Sequence, residues 1–313
     1  MNILFRHKYV VLLCFCVCLA FCPRAEQSVL LNQPYSDLDP RYRYPFKLLA
    51  RILESTEADY GVVTLRAAKH IRHRDKTLLE LVKGDLIHVM AEAPKPKWDE
   101  NLLVVPIPIR KGIQGFRVFI IHQNSQQLMA SINSIDGLRS LATGSGAQWS
   151  TYQILRQAGF QIMTAQTYEG LFGMLAKGRF VTFGRGINEA YREMNAYKAQ
   201  YPQLIVDEEI LLNIPLPTYY YVSAQKPKLH RRIQQGLLNL IADGSFERLF
   251  YQYHCDDILQ SKLHKRRVFK IDNPLASMQR MYSLVGKDFM LDPEDDFSAL
   301  CPVPDTSLAT SGY

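Results

Sequence analysis

Arg185 stands between Gly184 and Gly186 at the end of an apolar run. A guanidinium bared by flanking glycines can clamp a carboxylate through two parallel hydrogen bonds. Glu189 follows four positions later, one helical turn on, so Arg185 has two readings: a ligand contact or a pair with Glu189. Gly144-Ser145-Gly146 precedes a helical stretch. Free N–H groups there, with the helix dipole, suit an anion such as a carboxylate, and a plain tight turn is the alternative. No Gly-Lys-Ser/Thr follows, so this is not a phosphate-binding P-loop. Trp149 offers a ring that can stack on a ligand, or a helix aromatic that is partly buried. Trp98 lies in a Pro/Lys-rich stretch, which favours a ligand or lid role over burial. Arg110, Tyr42 and Tyr44 are further candidates for the same site, whereas Tyr219 to Tyr221 read as packing.

Catalytic chemistry has little to stand on. None of the 8 histidines falls in an H-E-x-x-H zinc motif. Ser145 is not in a G-x-S-x-G elbow. No metal or cofactor motif is visible, and the reading is a binding protein, not an enzyme. Cys255 and Cys301 lack the spacing of a metal site. In an oxidising compartment they fit one disulfide, with two separate thiols as the alternative.

That compartment is indicated by the N-terminus. Arg6 and Lys8 precede 15 uncharged residues from 9 to 23. As a helix these reach roughly 22 Å, short of a bilayer core near 30 Å. The pattern is that of a secretory signal peptide, with cleavage expected after Ala25 and a periplasmic destination. Leu19-Ala20-Phe21-Cys22 is close to a lipoprotein signal, but Phe21 replaces the small residue required. An uncleaved anchor is the third reading. The leader carries three of the charges behind the formal +7. What remains is mild and gives no reason to invoke nucleic acid. A basic run from Lys262 to Lys270 and an acidic one from Asp288 to Asp296 read as solvated surface.

The elements that must position these residues alternate. Strands are expected at 28–31, 61–65, 85–90, 115–121, 160–164, 179–183, 204–214 and 218–224. Helices are expected at 45–57, 75–83, 149–158, 168–176, 186–200, 227–242 and 245–254. Strands alternating with helices imply an α/β fold with mainly parallel sheets. One sheet would need too many strands, so two lobes are expected.

In this order the motifs resemble a known family. Ser134-Ile135-Asp136-Gly137-Leu138 opens a second lobe. Thr167-Tyr168-Glu169-Gly170-Leu171 leads to Leu175-Ala176-Lys177-Gly178-Arg179-Phe180. Ile241-Ala242-Asp243-Gly244-Ser245-Phe246 closes the pattern between two helices. The chain is similar to the type 2 periplasmic solute-binding proteins of family 3, the amino-acid-binding group, over roughly residues 28–260. Two features depart from that group. Residues 93–99 lack its Thr-x-x-Arg, and Phe183-Gly184-Arg185-Gly186 stands where an acid is usual. A divergent subgroup shares Gly112-x-x-Gly115-x-Arg117, Trp149, and Gly178 to Glu189.

The resemblance implies a type 2 periplasmic-binding-protein-like fold, two lobes joined by two hinge crossings near residues 115–119 and 215–219. Residues 26–117 and 216–270 would form lobe one and 118–215 lobe two, with 271–313 a tail packed on lobe one. It further implies a monomer that closes on a small-molecule ligand, anionic or amino-acid-like, and delivers it to an inner-membrane ABC permease. A sensory or orphan binding module is the alternative. The expected ligand set is Arg185, Trp149, Ser145, Gly146, Trp98, Glu189, Arg110 and Tyr44, with Arg110 in place of the missing family arginine.

Overall fold

The structure, a computed structural model, describes residues 28–32, 42–68 and 74–301. The expected leader, its cleavage site and its cysteines lie outside the described residues. Twelve strands are described: β1 (Ser28–Leu31), β2 (Thr64–Ala67), β3 (Val89–Glu92), β4 (Leu102–Val105), β5 (Phe116–His122), β6 (Thr143–Gly144), β7 (Ile162–Met163), β8 (Thr182–Gly186), β9 (Leu204–Val206), β10 (Ile210–Asn213), β11 (Tyr219–Ser223) and β12 (Arg267–Lys270). They form two sheets, ordered β2-β1-β3-β11-β4 and β12-β10-β5-β8-β6-β7, with β9 also on β5. The α/β, two-lobed reading of the sequence holds. The sheets are mixed, because the strands entering from the other lobe, β11 and β5, run antiparallel to their neighbours.

Helices form where apolar residues recur on one face. In Arg43–Glu54 the residues Leu48, Leu49, Ile52 and Leu53 are buried together. They meet Ile233, Leu237 and Leu240 of Pro227–Ala242, whose first residue is a proline that needs no N–H there. Gly236 makes this approach possible, since a Cβ on it would lie 2.8 Å from the Ile52 carbonyl oxygen. Arg232 ties the two helices, donating to Thr56 Oγ1 at 2.8 Å and to the Leu53 carbonyl at 2.7 Å.

β5, with sequence FRVFIIH, is buried over its first six residues and is the middle of the second sheet. Within it Val118 to Ile121 form the continuous apolar run that a strand covered on both faces requires. The chain reaches β5 through residues 106–115 and leaves the second sheet through residues 214–218. These crossings lie side by side: the Ile214 N–H donates to the Gly115 carbonyl and the Ile109 N–H to the Thr218 carbonyl, each at 3.0 Å. At Gly115 a Cβ would fall 1.8 Å from the Ile214 carbonyl oxygen, so only glycine fits. The first crossing therefore lies earlier than the sequence suggested, because Phe116 to Phe119 are already strand.

The end of the chain departs further from expectation. After the helix Ser245–Ser261, β12 pairs in parallel with β10 at the edge of the second sheet, so residues up to 270 do not stay in lobe one. Residues 271–301 are not confined to lobe one either, since Ile271 and Leu275 join the apolar cluster of lobe two. In the basic run Lys262, His264, Lys265 and Lys270 are exposed, as expected of solvated surface, and Arg266 is the exception. Arg266, 7% exposed, donates to the carbonyls of Ser261 and Asp207 at 2.6 Å and to the Tyr191 hydroxyl at 3.1 Å. Cys255 and Cys301 are joined in a disulfide, with Cα atoms 5.4 Å apart.

Candidate functional site

Between the sheets lies a cavity of about 90 Å³. Each wall comes from the end of an element. β3 contributes Glu92, with Ala93 just beyond it. The first crossing contributes Arg110 and Gln114, and β5 adds Arg117. The second crossing gives Leu216 and Thr218. From lobe two come Trp149 and Thr151 at the start of the helix Ser150–Gln157, Arg185 at the end of β8, and Glu189 in the helix Ile187–Tyr197. The carboxyl ends of parallel strands are where ligands gather in α/β sheets. Two hydrogen bonds bridge the lobes beside it. Lys95 Nζ donates to the Gln148 carbonyl at 3.0 Å, and Ser150 Oγ to the Pro94 carbonyl at 3.5 Å.

The cavity is lined by charge that is largely compensated. Arg185 is 2% exposed. Its Nε and Nη2 donate to the two carboxylate oxygens of Glu193 at 2.7 and 2.5 Å, and Nη2 lies 3.2 Å from Glu189 Oε1. Burial opposes its charge, but Glu189 and Glu193 outweigh this and raise its pKa above the ordinary arginine value. The guanidinium also lies over the Trp149 ring at 4.6 Å. Arg117 donates to the Gly184 carbonyl at 2.6 Å and to Glu189 Oε2 at 3.4 Å. Burial pushes its pKa down to about 10 despite Glu189, so it stays charged near neutral pH. Arg110 is buried beside His254, with Nη1 3.3 Å from Nε2. Burial lowers its pKa, and burial likewise brings His254 down to about 4, so that ring is neutral. Glu92 accepts the Ala93 N–H at 3.0 Å.

Comparison with known proteins adds the fold. No family model and no curated protein sequence matches the chain. Solved structures do. One is an ancestral arginine-binding protein bound to arginine, at 15% identity and a TM-score of 0.53, covering 73% of this chain and 98% of that one. Another is a histidine kinase sensor domain with similarity to periplasmic binding proteins, at 15% identity and TM-score 0.51, covering 73% and 96%. A third is an arginine third transport system periplasmic binding protein from Legionella pneumophila, at 13% and 0.51, covering 73% and 99%. The chain has the two-lobed fold of periplasmic binding proteins. At such identities the likeness concerns the fold, and the site must be read from its own residues.

Of the residues singled out in the sequence, Arg185, Trp149, Glu189 and Arg110 meet at this cavity. Arg185 has the two parallel hydrogen bonds expected of a carboxylate clamp, but the carboxylate is Glu193. That partner, eight residues on, comes within reach because the chain turns from β8 directly into a helix. Glu189 accepts the Gly186 N–H at 3.0 Å and so caps that helix as well as facing two arginines.

Four candidates stand elsewhere. Trp98 is a correction: Pro96 starts a short helix, Pro96–Asn101, that turns the ring inward, 3% exposed and edge-on to Tyr221 at 5.5 Å. Tyr44 faces the core, donating to the Ile109 carbonyl at 2.8 Å, and its neighbour Tyr42 lines the cavity instead. The Ser145 N–H is not free for an anion, since it donates to the Met163 carbonyl at 3.0 Å. Gly146 acts by its size: a Cβ there would lie 2.5 Å from the Trp149 ring, so glycine lets the indole lie flat. Sequence reading missed Glu92, Thr151 and Thr218, which carry no local motif. Arg117 was signalled only through Gly112-x-x-Gly115-x-Arg117.

Proposed function

We propose that the protein captures a small polar solute, anionic or amino-acid-like, between its lobes, as an exported monomeric binding protein that hands the solute to an inner-membrane ABC importer. The observation that supports this is the cavity itself. Both lobes and both crossings contribute to it, and its walls hold arginines and carboxylates side by side. Such a lining favours a ligand that carries charge and hydrogen-bonding groups over an apolar one. A solute bound from both sides stabilises the closed arrangement by its differential affinity for it. Among the ligand contacts, Arg110 meets the carboxylate and Trp149 supplies a flat face. No helix among the described residues is long and apolar enough to cross a membrane.

The test is a thermal-shift screen of residues 26–313 with amino acids, dicarboxylates, sugars, polyamines and short peptides. A ligand at 100 times its Kd adds about 2.7 kcal/mol of stability, a shift of a few degrees. Stabilisation by a charged solute, weakened by Arg110→Ala, is the expected result. Stabilisation by an uncharged sugar that Arg110→Ala leaves intact would overturn it. A second reading is sensing, favoured by the likeness to a kinase sensor domain. Uptake of the labelled ligand, measured in cells with and without the gene, separates the two.

A further inference from the structure

After the two crossings the chain passes between its sheets twice more, out to β12 and back, and this excursion ends in the disulfide. From Cys255 the helix Ser245–Ser261 leads to β12 at the edge of the second sheet. The segment then follows the second crossing: the Ile271 N–H donates to the Asn213 carbonyl at 3.2 Å, and Asn273 Nδ2 to the Pro215 carbonyl at 2.7 Å. Next it returns to lobe one, where Arg280 pairs with Asp99 at 2.7 Å. It continues to the first crossing, where the Leu291 N–H donates to the Lys111 carbonyl at 3.0 Å. Cys301 closes the ring on Cys255, 46 residues away.

The point reached at the first crossing is strained. Lys111 has φ 47° and Gly112 φ 87°, two consecutive left-handed residues of which one is not glycine. At a non-glycine residue such a conformation costs free energy and persists where its surroundings hold it. Here the end of the chain packs directly on it, beside the helix Ser245–Ser261 that carries Glu247. Lys111 Nζ lies 4.2 Å from the Phe289 ring centre and 3.3 Å from Glu247 Oε1. Phe289 packs on Phe246 at 5.2 Å, and the Met290 methyl covers Gly112.

We propose that residues 262–301 are a brace across the hinge, locked by Cys255–Cys301, and that reducing this bond frees the lobes to move. The proposal extends the cleft-capture reading by naming a control on it. In the switching step a dithiol attacks one sulfur as a thiolate, and the other cysteine leaves as a thiolate and takes up a proton. The second thiol of the reductant then displaces the first cysteine and closes to a disulfide. Two electrons pass to the protein. Without its covalent end, the segment carrying Phe289 and Leu291 can lift from Lys111, and the Lys111–Gly112 pair can relax by the φ and ψ changes that hinges use.

The test needs no ligand, so its failure is distinct from a failure of the capture reading. Hydrogen exchange and small-angle scattering would be recorded on residues 26–313, before and after dithiothreitol, with free thiols counted. The expected result is at least about tenfold faster exchange at the amides of 111–116 and 213–218, a larger radius of gyration, and unchanged exchange in β1 and β3. Reoxidation should reverse it. The Cys255→Ser, Cys301→Ser double variant should match the reduced protein. Phe289→Ala, with the disulfide intact, should speed exchange at 111–116 and serves if the double variant does not fold. Unchanged exchange at the crossings, or faster exchange spread evenly over both lobes, would overturn the proposal.

Discussion

Arg185 and Glu193 form a two-bond ion pair in which each side chain is less than 5% exposed. The pair joins the end of β8 to the second turn of the following helix, directly behind the cavity wall. A group so engaged orients the site as much as it meets a ligand. Removing one partner of a buried pair strands the other charge, at a cost of about 3–5 kcal/mol. Arg185→Ala is therefore expected to lower folding stability by that amount, measured by urea unfolding. Arg185→Lys should recover only part of it, because an ammonium cannot match both carboxylate oxygens. A stability loss under 1 kcal/mol for Arg185→Ala would refute the pair's structural role.

Arg110 offers a cleaner test of binding. It lines the cavity beside a neutral imidazole. If it meets a ligand carboxylate, Arg110→Ala should weaken binding by about 1.5–3 kcal/mol, read by isothermal titration with whichever solute the screen returns. An unchanged Kd in the folded variant would remove Arg110 from the ligand set.

Gly146 and Trp149 make a local prediction. A methyl group at 146 must displace the indole, and overpacking of this kind costs about 1–3 kcal/mol. Gly146→Ala in a Trp98→Phe background leaves Trp149 as the single tryptophan. Its emission should shift to the red as the ring leaves Arg185 and Phe183, against which it now lies. An unmoved spectrum would mean that the ring tolerates the methyl.

His254 predicts a dependence on pH. Burial holds its folded pKa near 4, against an ordinary value of 6.5. The unfolded chain binds the proton first, so stability from the neutral ring is complete above pH 6.5. It is lost as pH falls from there through about 4, for a total of about 2–4 kcal/mol. Urea midpoints across this range should fall more steeply for the wild type than for His254→Gln. Parallel curves would show that His254 does not titrate in this way.

Much of the fold was legible. The alternation of strands and helices and the buried run of β5 are local signals, and two lobes followed from them. β12 was hidden, because Arg266 and Arg267 read as solvated charge while Arg266 spends its donors on buried carbonyls. Of the candidate site, the residues at the end of β8 and at the start of the helix after β6 were legible from their glycines. The rest depended on distances that no spacing encodes. Trp98 looked exposed by its neighbours in sequence, yet its neighbours in space are Tyr221 and the first sheet's core.

β12 also bears on how the molecule is assembled. The second sheet places β5, β8, β6, β7, β9 and β10 from the middle of the chain, yet its last strand arrives only after the first lobe's final helices. Until then β10 presents an open edge, with unpaired N–H and C=O groups ready to accept a strand from another molecule. A chain made from its N-terminus holds that edge uncovered from the making of β10 until β12 follows the helices Pro227–Ala242 and Ser245–Ser261, and a protein cut at residue 262 would hold it permanently. Lobe two is thus not one contiguous stretch of chain: its edge strand is supplied from beyond the helix Ser245–Ser261 of lobe one.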